Sequence, residues 1–221
     1  MAAGGEARQA PASTTEATLP VYYSDLVVRK GWMSLSQLRG SRLAYNDVTS
    51  LSGYECLRMW LVRHCMGESQ PGQERYQPMF GSAIQTGGHH GSLLAVLDGH
   101  ADCAAIDRNV LVKLLRARAD SALAERVLNE LEPVQSVRLG PNPSQPVCVC
   151  PNMEPRLRDA LLCGFLSIDA ALLEPFQIEG FHRVEPADYE SIRRHLADFR
   201  GVHLLTAPGD GGREEQQEGH S

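Results

Sequence analysis

Tyr45-Asn46-Asp47-Val48-Thr49-Ser50-Leu51-Ser52-Gly53-Tyr54 decides how this chain is read. A short β-like run, residues 41–45, leads into it, and an amphipathic pattern leaves it, with Leu57, Trp60, Leu61 and Cys65 at helical spacing. Three hydroxyl side chains and a glycine therefore stand where a strand ends and a helix begins. The first N–H groups of a helix have no intrahelical partner, and the helix dipole makes that end partly positive. A hydroxyl loop entering such an end can hold an oxyanion. The same residues admit a plainer role, in which Ser52 is an N-cap and Glu55, three positions on, completes a capping box. On residue chemistry alone the cap is the favoured reading.

Working outward, the pattern predicts strands at 22–29, 42–45, 79–85, 101–107, 134–139 and 147–150. Helices are predicted at 52–66, 91–97, 110–115, 122–131, 156–166, 170–176 and 186–199. A short helical turn, 34–38, closes at Gly40, the position that favours a left-handed residue. Residues 67–78 read as a loop around Pro71 and Gly72, and Pro141 to Pro146 as a stiff connector. Strands separated by helices define an α/β fold with a mostly parallel sheet. Ligands of such sheets sit beyond the carboxyl ends of strands, near a topological switch point. The hydroxyl loop, Gly87-Gly88-His89-His90 and Asp107 all follow predicted strand ends.

The 221 residues are 43% hydrophobic and 22% charged, enough for a sizeable core. A formal net charge of −6 argues against a nucleic acid or an anionic membrane as partner, because those demand a basic face. A small anion is still allowed, since that depends on a local pocket. No stretch approaches the ~20 apolar residues of a membrane span. Residues 1–18 carry one arginine and no apolar core, so they read as neither a signal nor a transit peptide. The six cysteines form no C-x-x-C and are expected to be reduced core residues of a cytoplasmic protein. Cys148 and Cys150 would share one face of a strand, a weak zinc signal, and no cofactor is implied.

The ordered set Tyr22-Tyr23-Ser24-Asp25-Leu26-Val27-Val28-Arg29, Ser36-Gln37-Leu38-Arg39-Gly40, the opening stretch, Gly87-Gly88-His89-His90-Gly91-Ser92-Leu93 and Ala104-Ala105-Ile106-Asp107 resembles the phosphate/phosphite/phosphonate-binding proteins of ABC transporters. These have a type 2 periplasmic-binding-protein fold. The resemblance runs from about Val21 to Phe199. It implies that Ser50 and Ser52 donate hydroxyls to a small oxyanion, with Leu51 standing where relatives carry a threonine and offering only its N–H. It implies further that His89 approaches the anion, that Tyr22 lies at the mouth between two lobes, and that Asp107 meets a protonated oxygen or an amine. Plainer roles stand beside these: His89 and Asp107 as helix caps, Tyr22 as a packed strand residue.

By the same resemblance, residues 20–152 make one nearly complete lobe and 153–200 are helices that pack on a first lobe with no counterpart in this sequence. Residues 1–19 and 201–221 are expected to be disordered. The expected function is non-enzymatic binding of phosphate, phosphite or a phosphonate by a truncated, cytoplasmic relative. The alternatives are an enzyme resembling the pyrimidine-precursor synthases of this fold, with His89, His90, Cys103 and Asp107 as candidate groups, or an inactive truncated isoform. Leu157, Leu161, Leu162 and Phe165 fall near one helical face, and a homodimer or a protein partner is expected there.

Overall fold

A computed structural model describes residues 20–32, 34–65, 79–117 and 122–198. The expected disordered ends and the 67–78 loop lie outside these residues. Contacts divide the chain into two compact units, one containing residues 21–145 with 185–198, the other 146–184.

The larger unit is built on six strands: β1 (Val21–Arg29), β2 (Arg42–Tyr45), β3 (Ser82–Gln85), β4 (Cys103–Asp107), β5 (Leu131–Pro133) and β6 (Leu139–Pro143). Their order is β3-β2-β4-β1-β5, with β6 also paired to β1. β2 is parallel to β3 and β4, while β1 is antiparallel to β4, β5 and β6. Five strands therefore run one way and β1 alone runs against them. This is a mixed sheet of mostly parallel direction, in an α/β fold as the sequence pattern implies. Its nine-residue middle strand carries β6 against Val21–Ser24 and β5 against Val27–Arg29.

Alternation along the strands splits the core into two layers. Leu26, Val28, Leu43, Cys103 and Ala105 face a cluster with Leu57, Met59 and Leu61 of helix α1 (Cys56–Cys65). Val27, Ala44, Ala104 and Ile106 face the other way, onto Leu93, Val96 and Leu97 of α2 (His89–Leu97). Leu114 of α3 (Arg108–Arg116) and Val127 of α4 (Ala122–Glu130) close that second layer. Leu26, Leu43, Leu57, Leu61 and Ile106 are wholly inaccessible to solvent. Gly40 ends the 3-10 turn Leu35–Leu38 at φ 77°, a left-handed value that a side chain opposes. The carboxyl ends of β2, β3 and β4 share one edge of the sheet, because these three strands are parallel neighbours.

Two predicted strands are corrected. Residues 134–138 turn rather than extend, Val137 N–H donating to the Val134 carbonyl at 3.0 Å. Pairing resumes at β6, whose Pro141 and Pro143 had suggested a connector. Because β6 pairs with β1 alone, its prolines can sit on the outer side, where no ladder N–H is needed. Residues 147–150 are exposed and belong to no ladder. Cys56 and Cys103 are buried thiols as expected, but Cys148, Cys150 and Cys163 are exposed, because their segments contribute to neither core layer.

The smaller unit holds α5 (Pro155–Leu166) and α6 (Ala170–Leu173), with a 3-10 turn at Glu174–Phe176. Glu154 caps α5 through the Leu157 N–H at 2.9 Å, and Asp169 caps α6 through the Ala171 N–H at 2.8 Å. Phe165 and Phe181 meet edge to face, with centroids 4.9 Å apart. No side chain of α5 is buried. The last helix, α7 (Glu190–Asp198), groups with the larger unit, where Tyr189 donates to the Ser144 carbonyl at 2.9 Å and His195 meets Arg63. Among the described residues no helix is long and apolar enough to cross a membrane.

Candidate functional site

The hydroxyl loop leaves β2 and is held by its own side chains. Asn46 accepts the Asp47 N–H at 2.9 Å and donates from Nδ2 to Ser50 Oγ at 2.9 Å. Asp47 accepts both the N–H and the hydroxyl of Thr49, at 2.8 and 2.6 Å. Ser50 is the cap: its Oγ accepts the Gly53 N–H at 3.1 Å. A wide turn, Leu51–Glu55, then precedes α1, with Glu55 N–H reaching the Ser50 carbonyl at 3.0 Å. A Cβ on Gly53 would lie 1.8 Å from Asn46 Oδ1, so glycine permits the close approach that positions Asn46.

This corrects the predicted capping box. With the wide turn inserted, the cap moves back to Ser50 and releases Ser52. Glu55 pairs instead with buried Arg58, whose Nε donates at 2.8 Å. Its charge is thereby matched, which removes the repulsion a free carboxylate would exert on an anion beside the loop.

Released from capping, Ser52 turns to β3's far end. Its Oγ lies 3.1 Å from Nε2 of His89, the first residue of α2. Gly88 precedes it in extended conformation and accepts the Ser92 N–H at 3.0 Å. Burial pulls the His89 pKa below its usual value, against the opposing charge of Asp107 and the Ala105 carbonyl. His89 is thus neutral near pH 7, while its Nδ1 is buried without a hydrogen bond of ordinary geometry. His90, its neighbour, is exposed. Asp107 ends β4 and caps α3, accepting the Asn109 N–H at 2.8 Å.

These groups line one cavity of about 440 Å³, walled by Asn46, Ser50, Ser52, His89, Asp107, Asn109, Val110, Lys113 and Gln145. Four of the six residues picked from the sequence therefore meet. Leu51 does not line it; its side chain packs against the α1 core layer. Tyr22 does not line it either. It is 6% exposed at the start of β1, and burial, then Cys56 and Asp107, raise its pKa.

Its hydroxyl is nevertheless informative. Tyr22 Oη, Ser24 Oγ and His89 Nδ1 are the buried side-chain polar atoms without a partner among the described residues. Ser24 is the cross-strand neighbour of Asp107, and both Tyr22 and His89 feel the Asp107 charge. Unsatisfied buried polar atoms are rare, and these three belong to residues related to one carboxylate by strand pairing or by charge.

Sequence reasoning missed Asn46, Ser24 and the α3 wall. Asn46 lay inside the quoted stretch. Ser24 was legible as two residues from Tyr22, hence on the same strand face. Asn109 and Lys113 were legible as a helical i, i+4 pair beginning just after Asp107. Among the described residues, no group of three or more His, Cys, Asp or Glu is placed to hold a metal.

Residues 6–189 match the family described as ABC transporter, phosphonate, periplasmic substrate-binding protein, and the chain belongs to it. Solved structures share the fold. A binding-protein component of an ABC phosphonate transporter from Pseudomonas aeruginosa superposes with TM-score 0.60 at 17% identity, over 82% of this chain and 58% of that one. PhnD1 from Prochlorococcus marinus, in complex with methylphosphonate, gives 0.57 at 17% identity, over 82% and 68%. A Xanthomonas citri protein bound to chloride ion gives 0.55 at 20% identity, over 80% and 64%. The chain thus spans 58% to 68% of the length of these three structures.

Proposed function

We propose that this chain is a non-enzymatic binding module for a small oxyanion of the phosphate, phosphite or phosphonate type, with Ser50, Ser52 and His89 as the cradle. The carrying observation is the state of the two hydroxyls. Ser50 Oγ already accepts two hydrogen bonds, from Asn46 and Gly53, so its remaining proton is free to donate outward into the cavity. Ser52 shares one proton with His89 Nε2. The Ala105 carbonyl beside the ring favours the proton on Nδ1, so in the free site Ser52 donates to Nε2; protonation of His89, favoured by an entering anion, reverses that bond and turns the Ser52 proton to the guest. Two such donors beside a helix start are complementary to a tetrahedral anion.

The family supports a solute-binding role, and the candidate nucleophiles are poorly suited to catalysis. Burial drives the Cys103 thiol far above its usual range and pushes Cys56 up to about 12, so both stay protonated. Two free buried thiols also agree with a cytoplasmic setting, which cell fractionation tests.

Titration calorimetry with methylphosphonate, phosphate and phosphite tests the binding reading. Losing one hydrogen bond to a charged guest costs ~1.5–3 kcal/mol, so Ser50→Ala and His89→Ala should each weaken binding about tenfold or more. Unchanged affinity in both variants would remove this site from the proposal.

A further inference from the structure

The last helix, α7, is held to the larger unit by one narrow face. Tyr189, Ile192, His195 and Leu196 are half-buried at helical spacing, while Ser191, Arg193 and Arg194 are exposed. No side chain of α7 is buried outright. With so little apolar area covered, the seat of α7 depends on its polar contacts, and these lie near the two ends of the stripe. Tyr189 donates to the Ser144 carbonyl at 2.9 Å, and Ser144 precedes Gln145 of the cavity wall. His195 Nε2 meets a guanidinium NH2 of Arg63, in the last turn of α1.

This second contact works in one protonation state. A guanidinium carries donors and no acceptor, and it keeps its charge throughout the pH range of folded proteins. His195 is therefore the acceptor, a neutral ring with its proton on Nδ1 and a lone pair on Nε2. A proton arriving on Nε2 removes that acceptor and sets a second cation against the first. Among the described residues, Arg194 adds to the repulsion and Asp198 opposes it. Burial and Arg63 outweigh Asp198 and hold the His195 pKa below its ordinary value. His64, beside Arg63, is placed differently: its Nδ1 donates to the Trp60 carbonyl at 2.8 Å, a bond that survives protonation, and its ring stacks on Trp60. We propose that α7 is a strap that acid releases from the larger unit, with the Arg63–His195 contact as its catch. The catch is closed above about pH 6.5, the ordinary histidine value, and opens as the pH falls through the lowered pKa of His195.

Hydrogen exchange on the full chain, read as protection factors at pH 7.5 and pH 5, tests the catch. Expected is that α7 loses about tenfold more protection on acidification than β1 and β4, one hydrogen bond to a charged group being worth that much. His195→Gln keeps an acceptor oxygen for Arg63 and does not titrate, so in that variant α7 should follow β1 and β4. Arg63→Gln removes the opposing cation and should shrink the acid loss as well. Natural-chain α7 amides that change in step with β1 and β4 overturn the inference. So does an extra loss that His195→Gln leaves intact, which would assign the release to another group. Amides of α7 that are unprotected already at pH 7.5 overturn it too, since there would be no seat to release.

Discussion

Residues 21–145 and residues 146–184 are both rich in leucine and alternate apolar with polar positions, yet they use those residues in opposite ways. In the first, Leu26, Leu43, Leu57, Leu61, Leu93 and Leu97 are at most 1% exposed, on the two faces of one sheet. In the second, Leu157, Leu166, Leu172 and Phe176 are 51%, 47%, 67% and 66% exposed, and Leu173 is the buried hydrophobic residue. A helix pattern reports which residues share a face, not whether anything covers that face. Burial needs a second layer, and among the described residues the sheet supplies one for the first region.

The sharpest way to break this contrast is a matched pair of truncations. Leu26→Ala removes a fully buried side chain from the longest strand and should cost about 2–5 kcal/mol of unfolding free energy, the range for deleting a core leucine. Denaturant melts followed by strand-sensitive circular dichroism would measure it. A loss below about 1 kcal/mol would mean that the α1 layer is loosely packed and that the two regions differ less than their burial implies.

The second prediction concerns pH, and its effect is smaller. Burial lowers the His89 pKa in the folded chain, so between that value and ~6.5 the unfolded state binds more protons. This contribution to stability is present above about pH 6.5 and is lost as the pH falls through the folded pKa. His89→Gln should therefore flatten part of the acid-side decline in melting temperature. An anion in the cradle works in the opposite direction, because its charge raises the His89 pKa, so its affinity should rise on acidification once the ligand's own ionisation is subtracted. A variant that melts in parallel with the natural chain from pH 7.5 to 5 would show that His89 does not titrate within the fold.

What the sequence disclosed follows the same division. Strands β1, β2 and β4 were legible because β-branched and aliphatic runs stop at glycines or polar turns, and the site was legible wherever it follows a strand end. The cap was misassigned by two residues because a wide turn and a tight one begin with the same serine-rich string. The hydrogen bonds from Gly53 to the Ser50 hydroxyl and from Glu55 to the Ser50 carbonyl distinguish them. Strand β6 was missed because proline argues against a ladder, and a sequence does not show which strands lie on an edge. Lys113 was passed over for another reason: although its spacing from Asp107 was legible, a lysine on an amphipathic helix looks like any solvated residue.

The smallest expected effect tests the exposed region. Leu157 and Leu161 lie one turn apart on α5 and are 51% and 37% exposed. Truncating both to alanine removes little buried area, and alanine is the better helix former, so the two changes should offset to within about 0.5 kcal/mol. Hydrogen exchange should agree: amides of α5 should exchange well before those of β1 and β4, since local opening there uncovers no core. The two measurements must be read together, because a helix covered in solution would respond in both. A double truncation that costs as much as Leu26→Ala, accompanied by strong protection of α5, would show that these leucines are buried after all. A dependence of that protection on protein concentration would then identify a second copy of the chain as the cover, and its absence would point to a cover within the chain itself.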